Sequence, residues 1–168
     1  METYKICLIF VMILLALYII SFYRYPKNTS ILQTSLNQLS FDALLQRQLL
    51  VIDDTKTLQD INDIVAIWFK YSIKHNFQLS GSDTWHKNRY KYLVIQAGTH
   101  GGDVYFYPPY NQQLGADGAP ASNENVIAIR LSIGQSVVVP FHWKYMIPLN
   151  ISEVQCIGIH DLVTYVLP

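Results

Sequence analysis

From Ile6 to Tyr23 the chain reads ICLIFVMILLALYIISFY, eighteen residues without a charge. As an α-helix this run spans about 27 Å, close to the hydrocarbon thickness of a bilayer. It therefore reads as a membrane span that stands apart from whatever the rest of the chain folds into. A cleaved signal peptide is the rival reading. The segment ends in bulky SFYRYP where a cleavage site needs small residues, and its apolar run exceeds a usual signal core, so an uncleaved anchor is expected. Tyr23, Arg24, Tyr25 and Lys27 would form an aromatic and basic rim at one interface, with Lys5 alone at the other. This bias places the C-terminal part on the cytoplasmic side. The organisation expected is a flank at 1–5, a transmembrane helix at 6–23, a polar tether at 24–38 and one domain over 39–168.

The twelve basic and twelve acidic residues balance over the whole chain. Residues 1–27 hold Lys5, Arg24 and Lys27 against Glu2, so the remainder is slightly acidic. That balance argues against a broad nucleic-acid surface. Cys7 lies in the span and Cys156 is alone beyond it, which excludes a disulfide within the domain and a cysteine-based zinc site. The sequons at Asn28 and Asn150 would carry glycans only if the domain faced a secretory lumen.

Past the tether, Ser40 is placed to cap a short helix, with Leu39 and Leu44 as a hydrophobic staple. QLLVIDD follows as a brief strand stopped by two aspartates. A second helix is expected over TLQDINDIVAIWFKYSIKH, residues 57–75. Thr57 is its cap, Asp60 lies in its first turn, and Lys70, Lys74 and His75 lie in its last. Its apolar face, Leu58, Ile61, Val65 and Trp68, should pack on a sheet. From Lys91 onward, YLVIQ, DVYFY, VIAIRL, SVVVP, QCIGI and LVTYVL read as short strands parted by Gly, Pro, Asn and Asp. AGTHGG reads as a hairpin turn between the first two, and residues 110–125 as a long polar loop. The domain is thus mainly β, of sandwich or barrel type.

Within it, Gly134 opens the strand QSVVV, Pro140 ends it, and FHWKYMIP follows. A glycine suits the tight turn into the strand, a valine run suits a wall buried on both faces, and a proline ends ladder pairing. This arrangement resembles the second conserved motif of the cupin superfamily, Jumonji C type included. The upstream YLVIQAGTHGGDVYFYPP is similar to the strand, glycine turn and strand that precede it in the Jumonji-like branch. The resemblance covers about residues 40–168. It implies a cupin-like double-stranded β-helix, a jelly-roll barrel, here preceded by two helices and the transmembrane helix.

Active members of that family hold iron with two histidines and a carboxylate. The resemblance places Tyr145 in the slot of the second histidine, with Trp143 as the bulky aromatic before it. His142 falls at an odd offset from that slot and, on a strand, would face the other way. His86 could be the first ligand, but Asn88 stands where the carboxylate belongs. Asp83, His86 and His142 form an alternative ligand set; His100 with Asp103 and His160 with Asp161 are further pairs, the last expected in a turn between strands.

WHKNRYKY interleaves cations with aromatics, and Lys87, Arg89 and Lys91 would share one face of an extended strand, as a solvated edge more readily than a nucleic-acid site. Cys156 is expected in the core. Tyr105, Tyr107, Tyr110 and Tyr145 could give the barrel mouth aromatic walls for a carbohydrate or peptide, or simply fill core and rim. The expected function is a membrane-anchored binding or structural module with a protein or glycan partner and no catalytic metal. The alternative is an oxygenase dependent on Fe(II) and 2-oxoglutarate with substituted ligands. The Ile, Tyr and Asn usage would suit a protein encoded by a large DNA virus.

Overall fold

The computed structural model describes residues 2–22, 29–54, 60, 62, 72–98, 100–111, 115 and 119–166. Helix α1 covers Glu2–Phe22, and its apolar window has no part buried inside the protein. By length and composition it can cross a bilayer, a property that anchors and signal sequences share. Its C-terminal end touches the remainder of the chain. The Tyr18 hydroxyl donates to the Asp161 carboxylate and accepts from Lys91 Nζ at 3.1 Å, and Arg47 donates to the Ser21 carbonyl.

Beyond α1 the described chain is mostly sheet. Strands β1 (Leu32–Thr34), β2 (Leu50–Ile52), β8 (Ser136–Pro140), β5 (Tyr92–Ala97), β10 (Val154–His160) and β3 (Ile73–Leu79) form a six-stranded sheet in that order. Strands β4 (His86–Lys87), β9 (Lys144–Met146), β6 (Gly102–Tyr107) and β7 (Ile127–Leu131) form a four-stranded one. All pairings are antiparallel except β1 with β2.

Side-chain alternation decides what lies between the sheets. Leu93, Ile95, Val137, Val139 and Cys156 from the larger sheet meet Val104, Phe106, Ile129, Leu131 and Tyr145 from the smaller, with Trp143 and Ile147 among them. On the other face of the larger sheet, Tyr92, Val94, Val138, Ile157 and Ile159 pack with Leu36, Leu39 and Leu44. Strand β8 is therefore buried on both faces, which is why its sequence is an unbroken valine run. Gly134, at φ 78°, supplies the left-handed turn into it.

Helix α2 (Phe41–Leu45) begins at Ser40, whose hydroxyl accepts from Ala43 N at 3.2 Å. Leu39 and Leu44 are both buried at its base. The helix expected over 57–75 lies largely outside the described residues. Its expected last turn is corrected, since Lys74 and His75 belong to β3. β1 is a second correction, because Leu32–Thr34 pairs with β2 inside the stretch read as tether, and Leu36 is buried just after it. The hairpin expected between β5 and β6 does not form: the two strands lie in different sheets, so their connection crosses from one sheet to the other. Gly98 and Gly101 permit the crossing, since a Cβ on either would meet the Glu153 or Leu131 carbonyl oxygen at 2.7 and 2.6 Å.

LVTYVL is likewise no strand. Leu162–Val166 forms α3, because Asp161 and Thr164 satisfy each other's backbone. Asp161 Oδ1 accepts from Thr164 N at 2.9 Å, and Asp161 N donates to Thr164 Oγ1 at 3.1 Å.

Candidate functional site

Of the residues singled out by the resemblance, Tyr145 and Asn88 are buried, whereas Asp83 and His86 are exposed. Tyr145 is 7% exposed and faces inward from β9, opposite Phe106 across the ladder. Its ring is 5.6 Å from that of His86, its partner on β4, and burial raises its phenol pKa above the usual value. His86 is exposed, with Nε2 3.4 Å from the Ser82 hydroxyl. Asp83, at φ 49°, accepts from Leu149 N at 3.0 Å. His142 occupies the turn after β8 at φ 68°, stacked on Phe141 with centroids 3.8 Å apart. No three His, Cys, Asp or Glu side chains among the described residues, these three included, form a group that could hold a metal ion.

Asn88 is the most constrained of these residues. It is 1% exposed, its Nδ2 donates to the Val139 and Pro140 carbonyls at 2.9 Å each, and its Oδ1 accepts from Tyr90 N at 2.9 Å. Its backbone donates to the Trp143 carbonyl and accepts from His142 N. A carboxylate could not make the two donations. Asn88 thus ties the β4 segment to the end of β8.

Burial, followed by the nearby Lys87 charge, lowers the His142 pKa to about 4. The unfolded histidine titrates near ~6.5. Between those values the unfolded chain binds a proton that the folded chain refuses, so this group contributes stability at neutral pH that is lost as pH falls from about 6.5 towards about 4. A pH series of denaturation midpoints should show that fall, and His142→Gln should flatten it. An unchanged slope in the variant would remove His142 as its source.

The tyrosines do not share one wall. Val104 and Phe106 take the inner face of β6, so Tyr105 and Tyr107 stand on its outer face, away from Tyr145. Tyr107 is buried there, with Trp85 edge-on at 6.4 Å. Tyr110 follows in a 3-10 turn at Pro109–Asn111, half-buried. The cations separate too: Asn88 turns inward and ends β4, leaving Lys87 and Arg89 on one cleft while Lys91 pairs with Asp161 at 2.9 Å beside α1.

That cleft, of about 270 Å³, is lined by Lys87, Asn88, Arg89, Tyr90, Tyr145, His160 and Tyr165. Its geometry begins with Gly158. On β10, Gly158 faces His75 of β3, and a Cβ there would lie 2.2 Å from Tyr90 Cε1. The missing side chain lets the Tyr90 ring lie on the sheet, stacked on Phe77 at 5.7 Å and 26°. His160, two residues beyond, has its ring 4.5 Å from Tyr90 and 5.8 Å from both His75 and Tyr165. Burial, reinforced by His75, lowers the His160 pKa, and its buried Nδ1 has no hydrogen-bond partner among the described residues. Burial and Arg89 lower that of Lys87. Among the described residues, neither Lys87 nor Arg89 has an ion-pair partner, and no carboxylate lines the cleft.

Tyr90, Gly158, His160 and Tyr165 are not adjacent in any motif. Two local signals did exist: a glycine inside an apolar strand, which marks a close approach, and Asp161-x-x-Thr164, which marks a helix start.

Fold and cleft together define a class: a two-sheet, mainly antiparallel β-protein with a long apolar N-terminal helix and a cationic, aromatic-walled cleft. No protein-family model matches the sequence, and no curated protein matches it. Among solved structures, the chain is similar to RmlC from Streptococcus suis in complex with dTDP-D-xylose, at 8% identity and a TM-score of 0.35. The match covers 67% of this chain and 61% of that one. A superposition so loose transfers neither a site nor an activity.

Proposed function

We propose that this chain is a single-pass, membrane-anchored, cupin-like binding module of Jumonji-like descent, built on a double-stranded β-helix and without a catalytic metal. The observation that carries the reading is the fate of two positions where the family resemblance would put iron ligands. Asn88 is consumed by three side-chain hydrogen bonds and Tyr145 by the inter-sheet core. An iron site needs donors with free lone pairs converging on one point and open positions for oxygen. Apolar side chains fill the space between the sheets instead.

The anchor reading rests on α1, which is uncharged after Lys5 and exposed along nearly its whole length. The basic residues that follow it favour a cytoplasmic domain. The whole chain in detergent, loaded anaerobically with Fe(II) and freed of weakly held metal, should retain only substoichiometric iron. Stoichiometric iron that disappears in His86→Ala would overturn the reading in favour of the oxygenase. In sealed vesicles, the domain should resist carbonate extraction and be digested by protease only from the cytoplasmic face.

A further inference from the structure

The geometry points to the cleft at the end of β10 as a binding site for an acidic sugar, a single pyranose ring carrying one carboxylate or phosphate. This rests on the binding-module reading and names its ligand.

Lys87 and Arg89 flank the inward-turned Asn88, so both face the same space, and no acid among the described lining residues neutralises them. Two like charges held together in a partly dry cleft repel each other, and an anion between them relieves that repulsion. Arg89 offers a planar fork that matches a carboxylate or phosphate edge, while Lys87 offers a point charge. His160 adds a ring whose buried Nδ1 is unsatisfied among the described residues.

The walls specify what carries the anion. Tyr90 stacks on Phe77 in the room left by Gly158, and Tyr165 of α3 lines the same cleft with its ring 5.8 Å from that of His160. Aromatic faces with hydroxyl tips suit the apolar C–H faces and the hydroxyl rim of a pyranose. Size sets the upper bound. Pockets for drug-sized ligands occupy roughly 300–1,000 Å³, and this cleft, at about 270 Å³, has room for one ring and its acidic group.

The test is calorimetric titration of the whole chain in detergent at low salt, with glucuronic acid, glucose 6-phosphate, glucose and inorganic phosphate as separate probes. Glucuronic acid or glucose 6-phosphate should bind about tenfold or more tightly than either glucose or inorganic phosphate, because ring and charge each contribute. Lys87→Gln with Arg89→Gln should remove the preference for the acidic sugar over glucose. Tyr165→Ala should remove the preference for it over phosphate. These side chains are exposed or at the cleft surface, so an unchanged melting temperature will show that the fold persists. Phosphate binding as tightly as glucose 6-phosphate, or glucose as tightly as glucuronic acid, overturns the proposal. So does the absence of binding by all four. Iron retention is measured separately, so a chain that holds neither metal nor acidic sugar refutes this ligand and leaves the anchored module standing.

Discussion

Asn88→Asp should cost about 3–5 kcal/mol of stability and gain the protein no metal. The substitution restores the carboxylate that the family resemblance expects, in a place where the structure has no use for one. Asn88 Nδ2 donates to two carbonyl oxygens at 2.9 Å. An aspartate would turn a buried acceptor towards both carbonyl oxygens, where like partial charges repel. The carboxyl would respond by holding its proton, so its folded pKa would lie above the unfolded value. Stability would then fall as pH rises through the folded pKa, and the deficit against wild type should shrink on acidification. Asn88→Ala, which leaves the carbonyls unpaired without adding charge, should cost less, about 2–3 kcal/mol. Urea denaturation of the whole chain in detergent, followed by tryptophan fluorescence, measures all three. An Asn88→Asp chain as stable as wild type, or one that retains stoichiometric Fe(II), would sink the account of this residue as a structural tie.

Trp143→Ala should be comparably damaging, at about 3–5 kcal/mol. Trp143 is 1% exposed and stands first among the largest fully buried side chains. Its indole fills the inter-sheet core, while Nε1 donates to the Arg47 carbonyl at 3.3 Å and so links the segment after β8 to the turn after α2. Truncation leaves a cavity and an unmet carbonyl, and the lining can relax only partly. Trp143→Phe keeps a ring in the core and loses the hydrogen bond, so about 2 kcal/mol is expected. Equal losses in the two variants would mean that packing contributes little, contrary to the burial seen here.

Much of the scaffold was legible because local chemistry and tertiary environment agree. Ser40 caps α2 because a hydroxyl at that position meets an unpaired backbone N–H wherever the helix sits. SVVVP announces a strand buried on both faces because only such a place tolerates an unbroken β-branched run. Gly134 announces its turn through a positive φ that other residues avoid. The failures came where two signals competed. LVTYVL has strand composition, but the reciprocal bonds of Asp161 and Thr164 start a helix at that point. AGTHGG has hairpin composition, but its glycines serve a crossing between sheets where backbone oxygens approach too closely for a Cβ.

The cleft was scarcely legible. Lys87 and Arg89 were visible as a basic cluster, yet their separation from Lys91 depends on Asn88 turning inward. Tyr90 and His160 are seventy residues apart and meet because Gly158 leaves room for a ring on β10.

By itself, the sequence determined that the first part of the chain is one long apolar helix and that the rest is mainly β, and it put Asn88 and Tyr145 where the family resemblance expects iron ligands. Those properties belong to single residues and short runs, whose hydrophobicity, backbone preference and donor chemistry do not depend on distant partners. Only the tertiary structure decided that Asn88 and Tyr145 are buried and that cations and aromatics from β4, β10 and α3 share one cleft. Strand register and sheet membership determine which distant side chains share a face, and both are properties of the whole fold.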